Sequence, residues 1–232
     1  MIVLELCVAM PPRNRPQRPN CFFSLRVNNV GILKQVKKLQ KKLGKHYPSL
    51  APCMINPDKM HITLMVTHLA NDRDVKSATD LLTNIVNSRH DGPMAITFDG
   101  FRMFDKGVLF AKPSDESAAA LRRLAEEIYV SLNHEHLATQ TFRFDPHMTI
   151  CDLSKGQAGL EIEPAELKNF MIKHAEFKTE RQTFKGVELL SLSKQDADPS
   201  GYYGRMAYVR FWPCVFARTA LQTNDPSRIA EQ

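Results

Sequence analysis

The chain is predicted to adopt an α+β fold, on three observations. Segments of alternating apolar and polar residues recur along it, and other segments carry apolar residues at helical spacing. The two kinds follow one another without the regular strand-helix-strand rhythm of a doubly wound sheet. At 232 residues, 43% hydrophobic and 24% charged, the chain is long enough to bury a core without metal or disulfide staples, and collagen-like and disordered classes are excluded.

Residues 1–19 read as a flexible, basic and proline-rich arm, because PPRNRPQRPN offers nothing to bury. Residues 20–213 form the folded domain, and 214–232 a tail without a sustained apolar face. CFFSLRV opens the domain as a strand with Phe23, Leu25 and Val27 on one face and Phe22, Ser24 and Arg26 on the other. Ile32, Val36, Leu39 and Leu43 then mark an amphipathic helix over 30–45, whose lysines at 34, 37, 38, 41 and 42 form a solvated face. After a break at 48–57, KMHITLMVTHL is a second strand.

A second helix over 72–89 is marked by Val75, Ala78, Leu82, Ile85 and Val86. DGPMAITFDGFRMFDKGVLFAKP reads as two strands around a turn at 105–107. A helix over 114–133 follows, with a stripe of Leu121, Leu124, Ile128 and Leu132 and a cap at Ser114 or Asp115. The rest is a strand at FRFDPHMTICDL, a helix over 164–175, and late strands at VELLSLSK and GYYGRMAYVRFW.

Lys and Arg number 31 against 25 Asp and Glu, a net charge of +6 that favours an anionic partner. Five widely spaced cysteines, none in a CxxC pair, suggest neither a zinc site nor a disulfide framework and fit a reducing compartment, the cytoplasm or the nucleus. The opening MIVLELCVAM is too short and too interrupted for a membrane span and lacks the basic lead of a signal peptide. No membrane association is expected.

One internal repeat stands out: His-Ile-Thr-Leu at 61–64 and His-Met-Thr-Ile at 147–150. On a strand, side chains at i and i+2 share a face, so His61 with Thr63, and His147 with Thr149, form polar pairs backed by apolar neighbours. Two imidazoles and two hydroxyls facing one cleft suit transesterification at a phosphodiester. One neutral imidazole accepts a proton from the attacking hydroxyl, the other donates one to the leaving oxygen, and the hydroxyls hold the non-bridging oxygens. No metal or cofactor is required. Which histidine is base and which is acid is not legible from the repeat.

These motifs resemble the paired signatures of the two-histidine phosphoesterase superfamily, which includes LigT-like RNA 2′,5′ ligases, cyclic phosphodiesterases and viral 2′,5′-phosphodiesterases. PNCFFSLRV, KMHITLMVTHL, FDGFRMFDKGVLFAKP, FDPHMTICDLSK and LLSLSKQDADPSGYYG are most similar to the central domain of the A-kinase anchoring proteins that carry a nuclear-localisation domain. The resemblance runs from about residue 19 to residue 211. It implies a bilobal fold, two similar sheet-plus-helix lobes around a central groove, with His61 and His147 as the catalytic pair and Thr63 and Thr149 as phosphate-binding hydroxyls. It also implies a metal-independent 2′,5′-phosphodiesterase acting on oligoadenylate. The alternatives are a 2′,3′-cyclic phosphodiesterase on RNA ends and a non-catalytic AMP- or RNA-binding module. A monomer is expected. FARTALQTNDPSRIAEQ, with two polar runs and a proline, does not support binding of kinase regulatory subunits.

Around the repeat, Lys59 and Arg143 are candidate phosphate-binding cations at positions i−2 and i−4 from the histidines, provided that the strands extend that far. Asp145 shares this register, and Pro146 interrupts it. Tyr202, Tyr203 and Phe104 are candidate substrate-binding aromatics. Cys151, two residues after Thr149, is expected to border the groove as an ordinary thiol. His134 and His136 lack a carboxylate or Cys that would complete a metal site.

Overall fold

A computed structural model of the chain describes residues 17–89, 92–105, 107–156, 164–193, 198–199 and 201–212. Most of the expected arm and all of the expected tail lie outside these residues. The elements are β1 (Cys21–Arg26), α1 (Val30–His46), β2 (His61–Thr67), α2 (Asp72–Ser88), β3 (Met94–Ile96), β4 (Phe98–Phe104), β5 (Val108–Pro113), α3 (Asp115–His134), β6 (Met148–Asp152), α4 (Pro164–Lys173), β7 (Gln182–Phe184), β8 (Gly186–Ser191) and β9 (Arg205–Arg210). Short 3₁₀ turns occupy Pro48–Cys53, Pro57–Lys59 and Leu153–Lys155.

Helices α1, α2 and α3 begin at side-chain caps, which satisfy backbone donors the helix itself leaves open. Asn29 Oδ1 accepts from the N–H groups of Gly31 and Ile32, Asn71 Oδ1 from that of Asp74, and Ser114 Oγ from that of Ser117. The first strand is also clamped at its start: Asn20 donates to the Leu69 carbonyl and accepts from the Leu69 N–H. That pair fixes the register in which β1 enters against β2.

Seven strands form a mixed-order sheet, β4-β5-β6-β2-β1-β8-β9, and β3 pairs with β7 in a separate ribbon. Every pairing is antiparallel. Between β2 and β6 the pairing narrows to Ile62 opposite Met148, so this seam divides the sheet into a β4-β5-β6 lobe and a β2-β1-β8-β9 lobe. One face carries Phe23, Leu25, Ile62, Leu64, Leu109, Met148, Ile150, Val187 and Leu189, packed in one core with helix residues such as Ile32, Val36, Leu82, Leu121 and Ile128. Burial of each such side chain is worth roughly 1.5–3 kcal/mol, so the helices are held to this face and the opposite face is left for the groove.

Several sequence expectations need correction. The segment 94–104 is not one strand: it breaks at Thr97, whose N–H is taken by Ser117 Oγ and whose carbonyl accepts from the Ser114 N–H. The two short strands of the ribbon, three residues each, are too brief to show a period. The strand expected at 142–153 contracts to Met148–Asp152, with Pro146 buried ahead of it. Likewise β9 starts only at Arg205, so Tyr202 and Tyr203 precede the strand.

Candidate functional site

The two His-x-Thr motifs lie side by side on the two seam strands. Ile62 and Met148 are Cα partners, so continuing the antiparallel register by one residue sets His61 opposite Thr149 and Thr63 opposite His147. Ile62 and Met148 are fully buried on the core face, which puts all four polar side chains on the other face. Each histidine therefore has the other motif's threonine across from it, related by a local two-fold through the seam.

Both motif strands carry a β-bulge at the residue after the threonine. Phe23 faces Met65 while Ser24 faces Thr63, leaving Leu64 as the extra residue. Leu109 faces Cys151 while Phe110 faces Thr149, leaving Ile150 as the extra residue. A bulge bends its strand and resets the alternation. Leu64 and Met65 both enter the core, as do Ile150 and Cys151. Cys151 is thus turned away from the groove, contrary to a simple i+2 count, and burial pushes its thiol up to about 12.

The imidazoles are held alike. His61 Nδ1 is 2.7 Å from the Lys59 carbonyl oxygen, and His147 Nδ1 is 2.7 Å from that of Asp145. A carbonyl only accepts, so Nδ1–H donates in both rings and Nε2 carries the lone pair when the ring is neutral. Aromatic rings fix the planes. His61 lies 5.1 Å from Phe22 and 5.3 Å, edge-on, from Tyr203. His147 lies 5.1 Å, edge-on, from Phe104 and 5.3 Å from Phe110.

Burial, first, and the positive charges of His147 and Lys155 lower the His61 pKa to about 4, against the opposing pull of the Lys59 carbonyl. His61 is therefore neutral at pH 7. Since the folded value lies below the unfolded 6.5, the unfolded chain takes up this proton first as the pH falls. The contribution is intact above pH 6.5, fades between 6.5 and about 4, and amounts to at most about 3 kcal/mol. Urea unfolding as a function of pH should show a shallower loss of stability over this window in His61→Gln than in the wild type; identical slopes would count against it.

A pocket of about 160 Å³ beside His61 is lined by Ile55, Lys59, Thr149, Asp152, Lys155 and Tyr203 as well as the histidine. Lys59 reaches it from the Pro57–Lys59 turn rather than from a strand, with Nζ 5.6 Å from the Tyr203 ring centre. Arg143 is exposed in the non-strand segment before β6, so the register argument that placed it beside His147 does not apply. Tyr202 is buried, and its hydroxyl donates to Glu188 Oε2 at 3.1 Å, which leaves Tyr203 as the tyrosine of the pair at the groove. Phe104 serves as a wall of His147.

Sequence reasoning missed Lys155. Asp152 Oδ1 accepts from the N–H and hydroxyl of Ser154, nucleating the Leu153–Lys155 turn that brings the lysine to the pocket. The Asp-x-Ser signal just after the second motif marks that turn, but only the fold shows which way it leads. Among the described residues, no group of three or more His, Cys, Asp and Glu side chains is arranged to hold a metal ion.

Residues 19–211 match the model of the AKAP7 2′5′ RNA ligase-like domain. The chain belongs to that family. Human A-kinase anchor protein 7 isoform gamma is 25% identical over 204 residues, which cover 82% of this chain and 57% of the human protein. The chain thus spans little more than half the length of that relative. In structure, E. coli LigT complexed with 3′-AMP superposes with a TM-score of 0.56 at 14% identity, over 84% of this chain and 99% of LigT. The MHV ns2 PDE domain gives 0.53 at 17% identity, over 76% of this chain and all of the viral domain. The AKAP7-like domain described here therefore has the two-histidine phosphoesterase fold, and its two motifs occupy the seam between the lobes.

Proposed function

We propose that this protein is a metal-independent phosphodiesterase that cleaves 2′,5′-linked oligoadenylate with His61 as general base and His147 as general acid. The observation that carries this reading is the antiparallel pairing of the two His-x-Thr strands, which sets two imidazoles and two hydroxyls on one face of the seam. The nucleotide complexes of LigT, with 3′-AMP, ATP and NADP+, support a ligand of nucleotide chemistry. The description of the ns2 relative as a PDE domain supports a phosphodiester as the reacting bond.

In a 2′,5′ linkage the free 3′ hydroxyl lies next to the phosphorus. His61 Nε2 takes its proton, the 3′ oxygen attacks in line, the P–O5′ bond breaks, and His147 Nε2–H protonates the departing 5′ oxygen. The products are a 2′,3′-cyclic phosphate and a 5′ hydroxyl. Thr63 and Thr149 donate to the non-bridging oxygens, where negative charge accumulates. A base with a pKa of about 4 is weak, but a phosphodiester anion bound beside it offsets the repulsion from His147 and Lys155 and raises its basicity.

The test is incubation with 2′,5′-linked triadenylate in EDTA, following the products by chromatography. Shortened oligomers with a cyclic-phosphate product are expected, faster than from the 3′,5′-linked isomer. Turnover confined to 2′,3′-cyclic termini would assign RNA-end processing instead. Calorimetric binding of 5′-AMP with no turnover of any of these substrates would assign a binding module.

A further inference from the structure

A second pocket, of about 410 Å³, opens on the groove face between the end of β1 and the β8–β9 hairpin. It begins one strand away from His61. Arg26 is the Cα partner of His61 across the β1–β2 ladder, so the two side chains leave the sheet on the same face. The Arg26 guanidinium lies over the Tyr202 ring, 3.9 Å from its centre. The end of β1 is itself held: Gln182, buried, accepts from the N–H groups of Asn28 and Asn29 and donates to the Arg26 carbonyl.

The charge of this pocket is lopsided. Three cations, Arg26, Lys185 and Arg205, meet one carboxylate, Glu188. Glu188 is buried with both oxygens engaged, Oε1 by Arg205 at 2.8 Å and Oε2 by the Tyr202 hydroxyl at 3.1 Å. Arg205 is thereby neutralised. Arg26 and Lys185 have no ion-pair partner among the described residues, so their charge faces the pocket uncompensated. The volume exceeds that of a bare anion and suits several linked phosphate groups.

We propose that this pocket binds the 5′-terminal phosphate group of the oligonucleotide whose scissile linkage lies between His61 and His147. The inference rests on the phosphodiesterase reading for the position of that linkage. It also gives the substrate a direction. If His61 takes the proton of the attacking 3′ hydroxyl, the nucleoside that bears this hydroxyl lies on the β2–β1 side, and its 5′ end extends toward β8 and β9. The neutral state of His61 agrees with that direction. A 5′-triphosphate then meets Arg26 and Lys185, whereas a phosphate on the 2′ end points to the opposite lobe.

The experiment compares kcat and KM for 2′,5′-linked diadenylate bearing no terminal phosphate, a 5′-triphosphate or a 2′-terminal phosphate. For the wild type, the 5′-triphosphate lowers KM about tenfold with little change in kcat, and the 2′ phosphate does not. Arg26→Gln combined with Lys185→Gln removes that advantage while its thermal melt stays unchanged. A parallel calorimetric titration with inorganic tripolyphosphate needs no turnover, and binding is expected in the wild type and lost in the double variant. Cleavage without preference for the 5′-triphosphate, or a preference the double variant retains, overturns the pocket assignment but not the phosphodiesterase. Tripolyphosphate binding lost in the variant, with no substrate cleaved, keeps the anion pocket and overturns the phosphodiesterase. A preference for the 2′ phosphate reverses the direction and rejects the proposal.

Discussion

Cleavage of 2′,5′-linked triadenylate falls by roughly 10²–10⁴-fold in kcat when either His61 or His147 is replaced by Ala. Each ring supplies one of two proton transfers in the same step, and neither threonine can stand in for it. KM changes little, because the hydroxyls and neighbouring cations that hold the phosphate remain. The double replacement is no worse than about the poorer single one, since removing either partner already disables the concerted step. The pH profile of the wild type carries the sign of the base role. In kcat/KM, which reports the free enzyme, activity rises as the pH passes upward through about 4, where His61 loses its proton. Wild-type rates in either single variant, or an acid limb that His61→Ala leaves in place, would sink the assignment.

The second large effect is structural. Ile62→Ala costs about 2–5 kcal/mol of stability, because the side chain is fully buried in the core and its loss leaves a cavity there. Ile62 is also the residue that faces Met148 across the seam, so its loss loosens the registration of His61 against Thr149. Urea denaturation measures the first effect. The second appears as a fall in kcat at a urea-free temperature where the variant is fully folded. The control is Val36→Ala, also fully buried but on α1 and away from the seam. It should lose stability without a comparable fall in kcat; equal kcat losses in the two variants would show that the seam has no special part in catalysis.

Much of the framework was legible because its signals are local. The stripe of Ile32, Val36, Leu39 and Leu43 predicted α1, and the alternation around Phe23 and Leu25 predicted both β1 and its faces. Ser114 was one of the two caps proposed for α3. Segments with too few residues for a period were not legible, which is why β7 was missed and β3 was merged with β4. Segments in which a proline or a capping contact ends the strand were misjudged, hence the contraction at Pro146 and the break at Thr97.

For the candidate site the division is similar. The residue types and the shared face of each pair, His61 with Thr63 and His147 with Thr149, follow from the period of a strand, so the sequence by itself determined the two polar pairs and their likeness to a phosphoesterase signature. That the pairs adjoin in antiparallel register is a contact between residues 86 apart, which no local pattern encodes. The bulges at Leu64 and Ile150 exist only between paired strands, and it is they that send Cys151 to the core. Glu188 decides which of two adjacent tyrosines is buried, and Asp152 starts the turn that brings Lys155 to His61. Local alternation sets which way a side chain leaves its own strand; what it meets there depends on loop closure and packing across the whole chain, and only the tertiary structure decided that.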